Sequence, residues 1–453
     1  MSGNPANKVL AALLTVAVCG LVWAAWRGPS GQLDANPLVT PRMLLSAGEA
    51  APAGGALPRA TLENMPVKPY NGFGKIFTDN LAEPFRYLGP GREMDDDWDK
   101  DVVKLGMVAQ LSGPAGAYGR MMLRGTQMAV EEANASGGYQ GKSFQLVSSD
   151  DFFDMGVNGN RTVDMIFKDK VRAIVGAVHS GNTHVGIRVA LKCEIPQITS
   201  VSTDPTITDV MIPFAFRCLA DDRLQGRALA AYMFGVKDYR RIVLVNQLSR
   251  YGLMGIGEIR TLARRLGREV LLQMQFNSGQ KDFSALADRV ARLKPDAMVV
   301  WGLYYESARL VKALRDRGIT VPILGGDGLV SPEFIAQAGP AAEGTVVTYP
   351  FDAERDDPRT KDFLERYRKK FGGEADSFVA HAYDSTRIVI EAIRSVGLNR
   401  ARIRDAMAAT RNFPGVTGPI SFDGTGNFMG QVKLAVVEGG KFKKLENPGS
   451  GLP

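Results

Sequence analysis

Two stretches hold the residue types that nucleotide binding or hydrolysis would need. "NASGGYQGKS", residues 134–143, has the glycines and the Gly-Lys-Ser of a loop that wraps phosphate. Such a loop needs four residues between its first glycine and the Gly-Lys pair. It must also leave a strand and open a helix, so that backbone N–H groups converge on the anion. Here Ser136 stands where that glycine belongs, and the preceding "MMLRGTQMAVEEANA" has a helical period, with Met122, Ala129, Val130 and Ala133 on one face. The following "SFQLVSSDD" reads as a strand. Gly137 and Gly138 therefore end a helix, Lys142 is a solvated turn residue, and nucleotide binding is not supported. The second stretch, "VHSGN", sets His179 beside Ser180 at a strand-to-helix turn. A nucleophile elbow needs glycine two residues either side of the serine, where Val178 and Asn182 stand. His179, His184 and His381 are the only histidines, none at metal-binding spacing, and no Cys-x-x-Cys occurs. We expect no enzyme, no metal and no cofactor.

Binding suits the same residues better. A helix beginning after "HSGNT" offers free N–H groups and a positive dipole end, and Ser180 and Thr183 add hydroxyl donors, so the site fits a carboxylate. "SVSTDP" repeats the offer with Ser202 and Thr203. Asp327, between glycines in "LGGDGL", is a carboxylate that suits an ammonium; it is equally the kind of residue that only makes a turn.

The elements that must position these residues form an alternating pattern. Short apolar strands ("KLGMVAQL", "FQLVSSD", "RAIVGAV", "PQITSV", then "RIVLVNQ", "EVLLQMQF", "DAMVVWG", "VPILGGD", "GTVVTYP") alternate with amphipathic helices such as "GLMGIGEIRTLARRLG" and "ESARLVKALRDRG". That alternation predicts an α/β fold with parallel sheets covered on both faces. So many strands exceed one domain of this kind, and "RCLADDRLQGRALAAYM" marks a change of unit, so we expect two doubly wound lobes. Beyond residue 350 the pattern breaks into helices "DPRTKDFLERYRKKFGG", "SFVAHAYDSTRIVIEAIRSVG" and "ARIRDAMAAT", then a turn-rich β segment, as in a chain that crosses between lobes more than once. Ligands of open α/β sheets sit beyond the carboxyl ends of the strands, where the hydroxyls, tyrosines and Asp327 all fall.

In order and with suitable spacing, "VKLGMVAQLSGPAGAYGRMMLRGTQMAVEEANASGG", "IVGAVHSGNT", "IPQITSVSTDP", "RYG", "GGDG", "HAYDS" and "GVTGPISFDGTGN" resemble the periplasmic branched-chain amino-acid-binding family, type I solute receptors that feed ABC transporters. The resemblance covers about 102–445. It implies two α/β lobes joined by a three-stranded hinge that close on a ligand, a small amino acid or related carboxylate, for delivery to an ABC permease in the inner membrane. It further implies that Ser180 and Thr203, with Ser202 nearby, hold the α-carboxylate, that Asp327 holds the α-ammonium, and that Tyr118 and Tyr251 wall the cleft from the two lobes. After "VVWG" the family commonly has an aromatic residue; here Leu303 is followed by Tyr304 and Tyr305, and Tyr304 is taken as the wall. His179 and His184, near the carboxylate site, are read as exposed helix-start residues, with a part in determining side-chain specificity as the alternative. The family also includes receptors for amides, urea-like compounds and aromatic acids, which stay open as alternatives, as does a membrane-anchored sensor using the same cleft.

The divisions expected are a signal peptide or membrane anchor over 1–27, a Pro/Gly/acidic tether over 28–101, lobe 1 over 102–222 with 351–425 returning to it, and lobe 2 over 223–350 with 426–453. The stretch Val9 to Trp26 is uncharged between Lys8 and Arg27, at the boundary between a signal-peptide core and a spanning helix. Cleavage after Ala24 is tolerable, and Val18 before Cys19 argues against a lipoprotein. Export to the periplasm is expected either way. The 453 residues are 45% hydrophobic and 23% charged, and the net charge of +7 comes from 55 basic and 48 acidic residues with no basic stripe, so nucleic-acid binding gains no support. Cys193 and Cys218 are the pair that an oxidising compartment could join.

Overall fold

The computed structural model describes residues 61–63, 65, 67, 87–93, 101–113 and 116–445. The signal or anchor expected over 1–27, and most of the tether, lie outside them. Among the described residues no helix is long and apolar enough to cross a membrane.

Two parallel-sheet layers carry the fold. The first has the order β2-β1-β3-β4-β5, from Ser143–Asp150, Val102–Ala109, Ile174–Gly176, Gln197–Thr199 and Ala215–Arg217. The second has the order β14-β13-β10-β9-β8-β6-β7, from Lys441–Lys444, Lys433–Glu438, Val346–Tyr349, Ile323–Gly325, Ala297–Trp301, Arg241–Gln247 and Glu269–Phe276. In it β13 runs antiparallel to β10, and β14 antiparallel to β13. A small hairpin pairs β11 (Phe413–Gly415) with β12 (Gly418–Ile420). β3, β4, β8 and β9 are buried throughout, the continuous apolar run of a strand covered on both faces.

The helices are α1 (Gly116–Ala135), α2 (Met155–Phe167), α3 (Ser180–Lys192), α4 (Thr206–Asp209), α5 (Asp222–Ala230), α6 (Arg250–Arg265), α7 (Ser284–Leu293), α8 (Tyr304–Arg315), α9 (Pro332–Ala338), α10 (Pro358–Phe371), α11 (Ser377–Val396) and α12 (Arg400–Ala408). Sequence sets their starts: Asp154, Asp221, Ser249, Ser331, Asp357, Asp376 and Asn399 each accept a first-turn N–H with the side chain. α1 ends as the sequence predicts, with Gly137 at φ 94° and Gly138 at φ 66° leading into β2.

The chain passes between the layers three times: after β5, after β10, and again before β13. The returning helix α11 packs along α1. It is buried nearly all round, and Gly125 on α1 lets the backbones meet, since a Cβ there would stand 2.2 Å from the Val379 carbonyl oxygen. At the crossing, buried Arg217 donates from Nε to Asn427 Oδ1 at 2.9 Å and from Nη1 to the Asp204 carbonyl at 2.5 Å, which ties β5 and the turn after β4 to the segment that leads into β13.

Parts of the expected tether are docked. Leu62 and Met65 join the apolar cluster around β6 and α6, and Arg227 donates to both of their carbonyls. Tyr87 packs edge-on to Phe214 at 4.8 Å, and the Gly91 carbonyl accepts from Asn399. Cys193 and Cys218 are free thiols, not a disulfide. Cys193 caps the end of α3, whereas Cys218 is buried just past β5.

Candidate functional site

Both sheets turn at a switch in strand order, between β1 and β3 in one and between β6 and β8 in the other. In open α/β sheets ligands collect beyond the carboxyl ends of the strands there. From the first sheet come Tyr118 in the opening turn of α1, Ser180 at the start of α3 after β3, and Ser202 and Thr203 after β4. From the second come Tyr251 after β6, Leu303 after β8, and Asp327 after β9. These residues line one cavity with Val178, His179, Val201, Gly328 and Phe378; it measures about 30 Å³. That is room for about two water molecules.

One wall attracts anions. The first turn of α3 presents N–H groups that helical geometry leaves without partners, and no side chain caps them. The Ser202 hydroxyl, by contrast, is already engaged, donating to the Ala177 and Val178 carbonyls at 3.0 and 2.9 Å and meeting Thr183 Oγ1 at 2.6 Å. Ser202 and Thr183 tie the ends of β3 and β4 together and so place the α3 start. The Thr203 hydroxyl is buried without a hydrogen-bond partner.

The facing wall attracts cations. Asp327 is almost fully buried and accepts from the Tyr251 hydroxyl at 3.0 Å; Tyr251 in turn accepts from Gly328 N–H at 2.9 Å. The flanking glycines are required by this approach: a Cβ on Gly328 would stand 2.7 Å from the Gly302 carbonyl and 2.8 Å from the Tyr251 hydroxyl. Burial pushes the Asp327 carboxyl up to about 6, while the Gln225 and Tyr251 side chains hold it down. Beside it lies an acid that sequence reasoning passed over. Asp222, the first residue of α5, is completely buried, and neither carboxylate oxygen has a hydrogen-bond partner. Burial drives it well above the usual carboxylate range, and the Asp327 charge adds to that; the Thr203 hydroxyl is near enough to ease the rise without making a well-formed bond. In sequence Asp222 looks like one more charge in a helix start.

Tyr304 does not line the cavity. Leu303, extended at φ −79° and ψ 157°, caps α8 and faces the cleft, while Tyr304 packs edge-on against Tyr118 at 5.1 Å. Its backbone N–H donates to the Tyr118 hydroxyl at 3.1 Å, and that hydroxyl donates to the Gly328 carbonyl at 2.6 Å. Tyr118 thus bridges the two layers directly. Phe378, at the start of α11, is a second aromatic wall that the sequence reading missed.

The histidines are not exposed helix-start residues. His179 is buried, with Nε2 2.7 Å from Gln110 Oε1 and its ring against Phe153, and burial lowers it to about 3. It is fixed and neutral, a poor base for Ser180. His184 lies 3.0 Å from the buried Asp204 carboxylate. Asp204 also pairs with Arg250 at the start of α6, and Arg250 Nη2 donates to Thr206 Oγ1 at 2.6 Å, so this cluster clasps the two layers outside the cavity. Among the described residues no cluster of His, Cys, Asp or Glu could hold a metal ion.

Known proteins share this arrangement. Residues 102–441 match a family model described as periplasmic binding protein. The chain is 30% identical over 329 residues to the "Leu/Ile/Val-binding protein homolog 2" of Brucella abortus (strain 2308), covering 72% of this chain and 87% of that one. A leucine-binding protein LivK from Thermotoga maritima MSB8 superposes with a TM-score of 0.72 at 30% identity, over 76% of this chain and 98% of that one. The substrate-binding protein LivJ of Streptococcus pneumoniae, solved with isoleucine, does so at 0.72 and 31%, with the same coverage. These relatives are named as binding proteins, not enzymes. With its two wound layers, its cleft at their strand ends and a family match over most of its length, the chain belongs to the periplasmic binding protein family.

Proposed function

We propose that the protein is an exported receptor for a zwitterionic α-amino acid, held between its two lobes and handed to an ABC permease. Asp327 carries this reading: it lies buried on the cavity wall, with Asp222 buried near it, and among the described residues no cationic side chain lines the cavity. A buried carboxylate without a counter-charge is costly, and a ligand ammonium would supply one. A monocarboxylic acid, an amide or urea would leave Asp327 uncompensated. The ligand carboxylate would take the first turn of α3 with Ser180, and Thr203 would offer its free hydroxyl. Tyr118 and Phe378 would exclude water, which strengthens each polar contact.

Closure would be a population shift in which the ligand stabilises the closed form by the contacts that it makes to both lobes at once. The division of the chain into lobe 1, with 351–425 returning, and lobe 2, with 426–453, belongs to this reading. The test is calorimetric titration of leucine against 4-methylpentanoate, the same molecule without its ammonium, on protein refolded to strip bound ligand. Leucine should bind at least a hundredfold more tightly; equal binding of the two would end the zwitterion reading.

A further inference from the structure

The cleft lies at the carboxyl ends of the strands, and the amino ends in the second layer carry a different chemistry. β6, β7 and β8 run parallel, so the loops that lead into them meet at one pole of that layer. Those loops read "KDYRR" (237–241), "RRLGRE" (264–269) and "RLKPD" (292–296), eight basic residues against three acidic. The excess of five compares with a net charge of +7 for the whole chain, although no single stretch of sequence is a basic run. We propose that this pole is a docking surface for anionic lipid headgroups, on which the receptor rests with its cleft held away from the membrane.

The three loops form one surface, and its acids are already engaged. Asp296 accepts from the Arg240 and Arg241 backbone N–H groups at 2.8 and 2.9 Å, which joins the first loop to the third. Arg268 donates to Asp238 at 2.7 Å, which joins the second loop to the first, and Arg240 donates to the same carboxylate at 2.7 Å. Glu269 lies 3.6 Å from Arg241. Lys237, Arg264, Arg265, Arg292 and Lys294 are exposed, and none forms an ion pair among the described residues. A helix end favours a basic residue, and α6 and α7 both end here. Two helix ends do not call for five unpaired cations, which repel one another until an anionic surface faces them.

A membrane fits this pole better than another polyanion does. Val236, 48% exposed, and the part-buried Tyr232 and Tyr239 stand beside the cations, with Lys237 Nζ 5.5 Å from the Tyr232 ring centre. Cations mixed with tyrosine and exposed aliphatic carbon suit the zone between headgroups and acyl chains. The course of the chain points the same way. Only 34 residues separate Trp26, the end of the uncharged stretch, from Thr61, and Leu62 and Met65 are docked in the apolar cluster that includes Phe234. Arg268 of the pole donates to the Phe234 carbonyl at 2.9 Å. A chain held in the membrane by that stretch reaches the folded body beside this pole, which raises the pole's concentration at the lipid surface.

The test is phenylglyoxal labelling of arginines, read by mass spectrometry, in the full chain reconstituted with vesicles of phosphatidylcholine alone or with about one-third phosphatidylglycerol. At about 0.1 M salt the anionic vesicles should slow Arg264, Arg265 and Arg292 at least about fivefold, and about 1 M salt should abolish the difference. Arg188 on α3 and Arg402 on α12, both exposed, should label equally on the two vesicles. The double variant Lys237→Gln with Lys294→Gln should lose most of the slowing. Equal labelling of the pole on the two vesicles would overturn the proposal, as would full slowing in the double variant. Slowing of Arg188 and Arg402 to the same degree would overturn it as general adsorption. Slowing by soluble polyglutamate but not by the vesicles would overturn it in favour of an acidic protein partner, and slowing by glycerol phosphate without vesicles in favour of a small-anion site.

Discussion

Replacing Asp327 by Asn should move binding and stability in opposite directions. Asn has the same shape, and its amide oxygen can keep the Tyr251 hydrogen bond made at 3.0 Å, so packing changes little. Binding loses the charge opposite the ligand ammonium. Removing one partner of a buried charge pair costs about 2–5 kcal/mol, on the order of 30- to 5000-fold in affinity. Stability follows the other sign. A carboxyl whose folded pKa is raised holds its proton more tightly in the folded state, so its contribution is fully favourable only below its unfolded pKa and is lost as pH rises through the folded value. With burial raising Asp327 from 3.8 to about 6, the ionised group destabilises the ligand-free protein at pH 7.5 by on the order of 1–3 kcal/mol. Asn removes that cost and relieves Asp222 of a like charge beside it. The assay is calorimetric titration paired with thermal unfolding of the ligand-free protein at pH 7.5. Weaker binding with a Tm raised by a few degrees is the expected pair of results. Unchanged affinity would remove Asp327 from the site, and a lowered Tm would show it to be a structural turn residue.

The same acid sets a pH profile. An ammonium pairs only with the ionised carboxylate, so affinity should be level above pH 7 and fall about tenfold between pH 7 and pH 5, as Asp327 takes up its proton near 6; a flat profile by titration at pH 5, 6, 7 and 8 would count against the pairing. Arg250→Gln should weaken binding without touching ligand, because the clasp on Asp204 and Thr206 favours the closed form. With Arg250 itself 42% exposed and His184 still on Asp204, the effect should be about 1 kcal/mol or fivefold. Small-angle scattering should show the ligand-free variant more open, and an unchanged profile together with unchanged affinity would mean that the clasp does not bias closure.

The fold was legible because strand and helix carry different apolar periods, and every long strand announced itself. β5 did not, although β3, β4 and β9 are as short: Ala215–Arg217 ends in Arg217, the first residue of the charged stretch read as a change of unit. The site was legible where a strand end left a hydroxyl or acid in a turn, as at Ser180, Thr203 and Asp327. It was not legible where burial decides the role. Asp222 stands in a run of charges and only the fold reveals that it has no partner. Leu303 and Tyr304 differ by one position at a helix start, and the helix phase put the leucine in the cleft and the tyrosine behind Tyr118. Phe378 reads as one apolar residue among many on α11. Ser202 carried the right atom, but local carbonyls had already claimed it.

The packing of α11 on α1 also fixes when this protein can finish folding. The sheet of the first lobe is complete once Arg217 has been made, yet the helix that seals it begins at Ser377, after the whole second sheet layer as far as β10. At the usual pace of synthesis, about 5–20 residues per second, the roughly 160 residues between them take on the order of 10–30 s. For that time the side of α1 that meets α11, with Gly125, Met128 and Ala129 on it, has no native cover. A nascent chain in that state leaves this helix side in water, and its first lobe cannot close until α11 has been made.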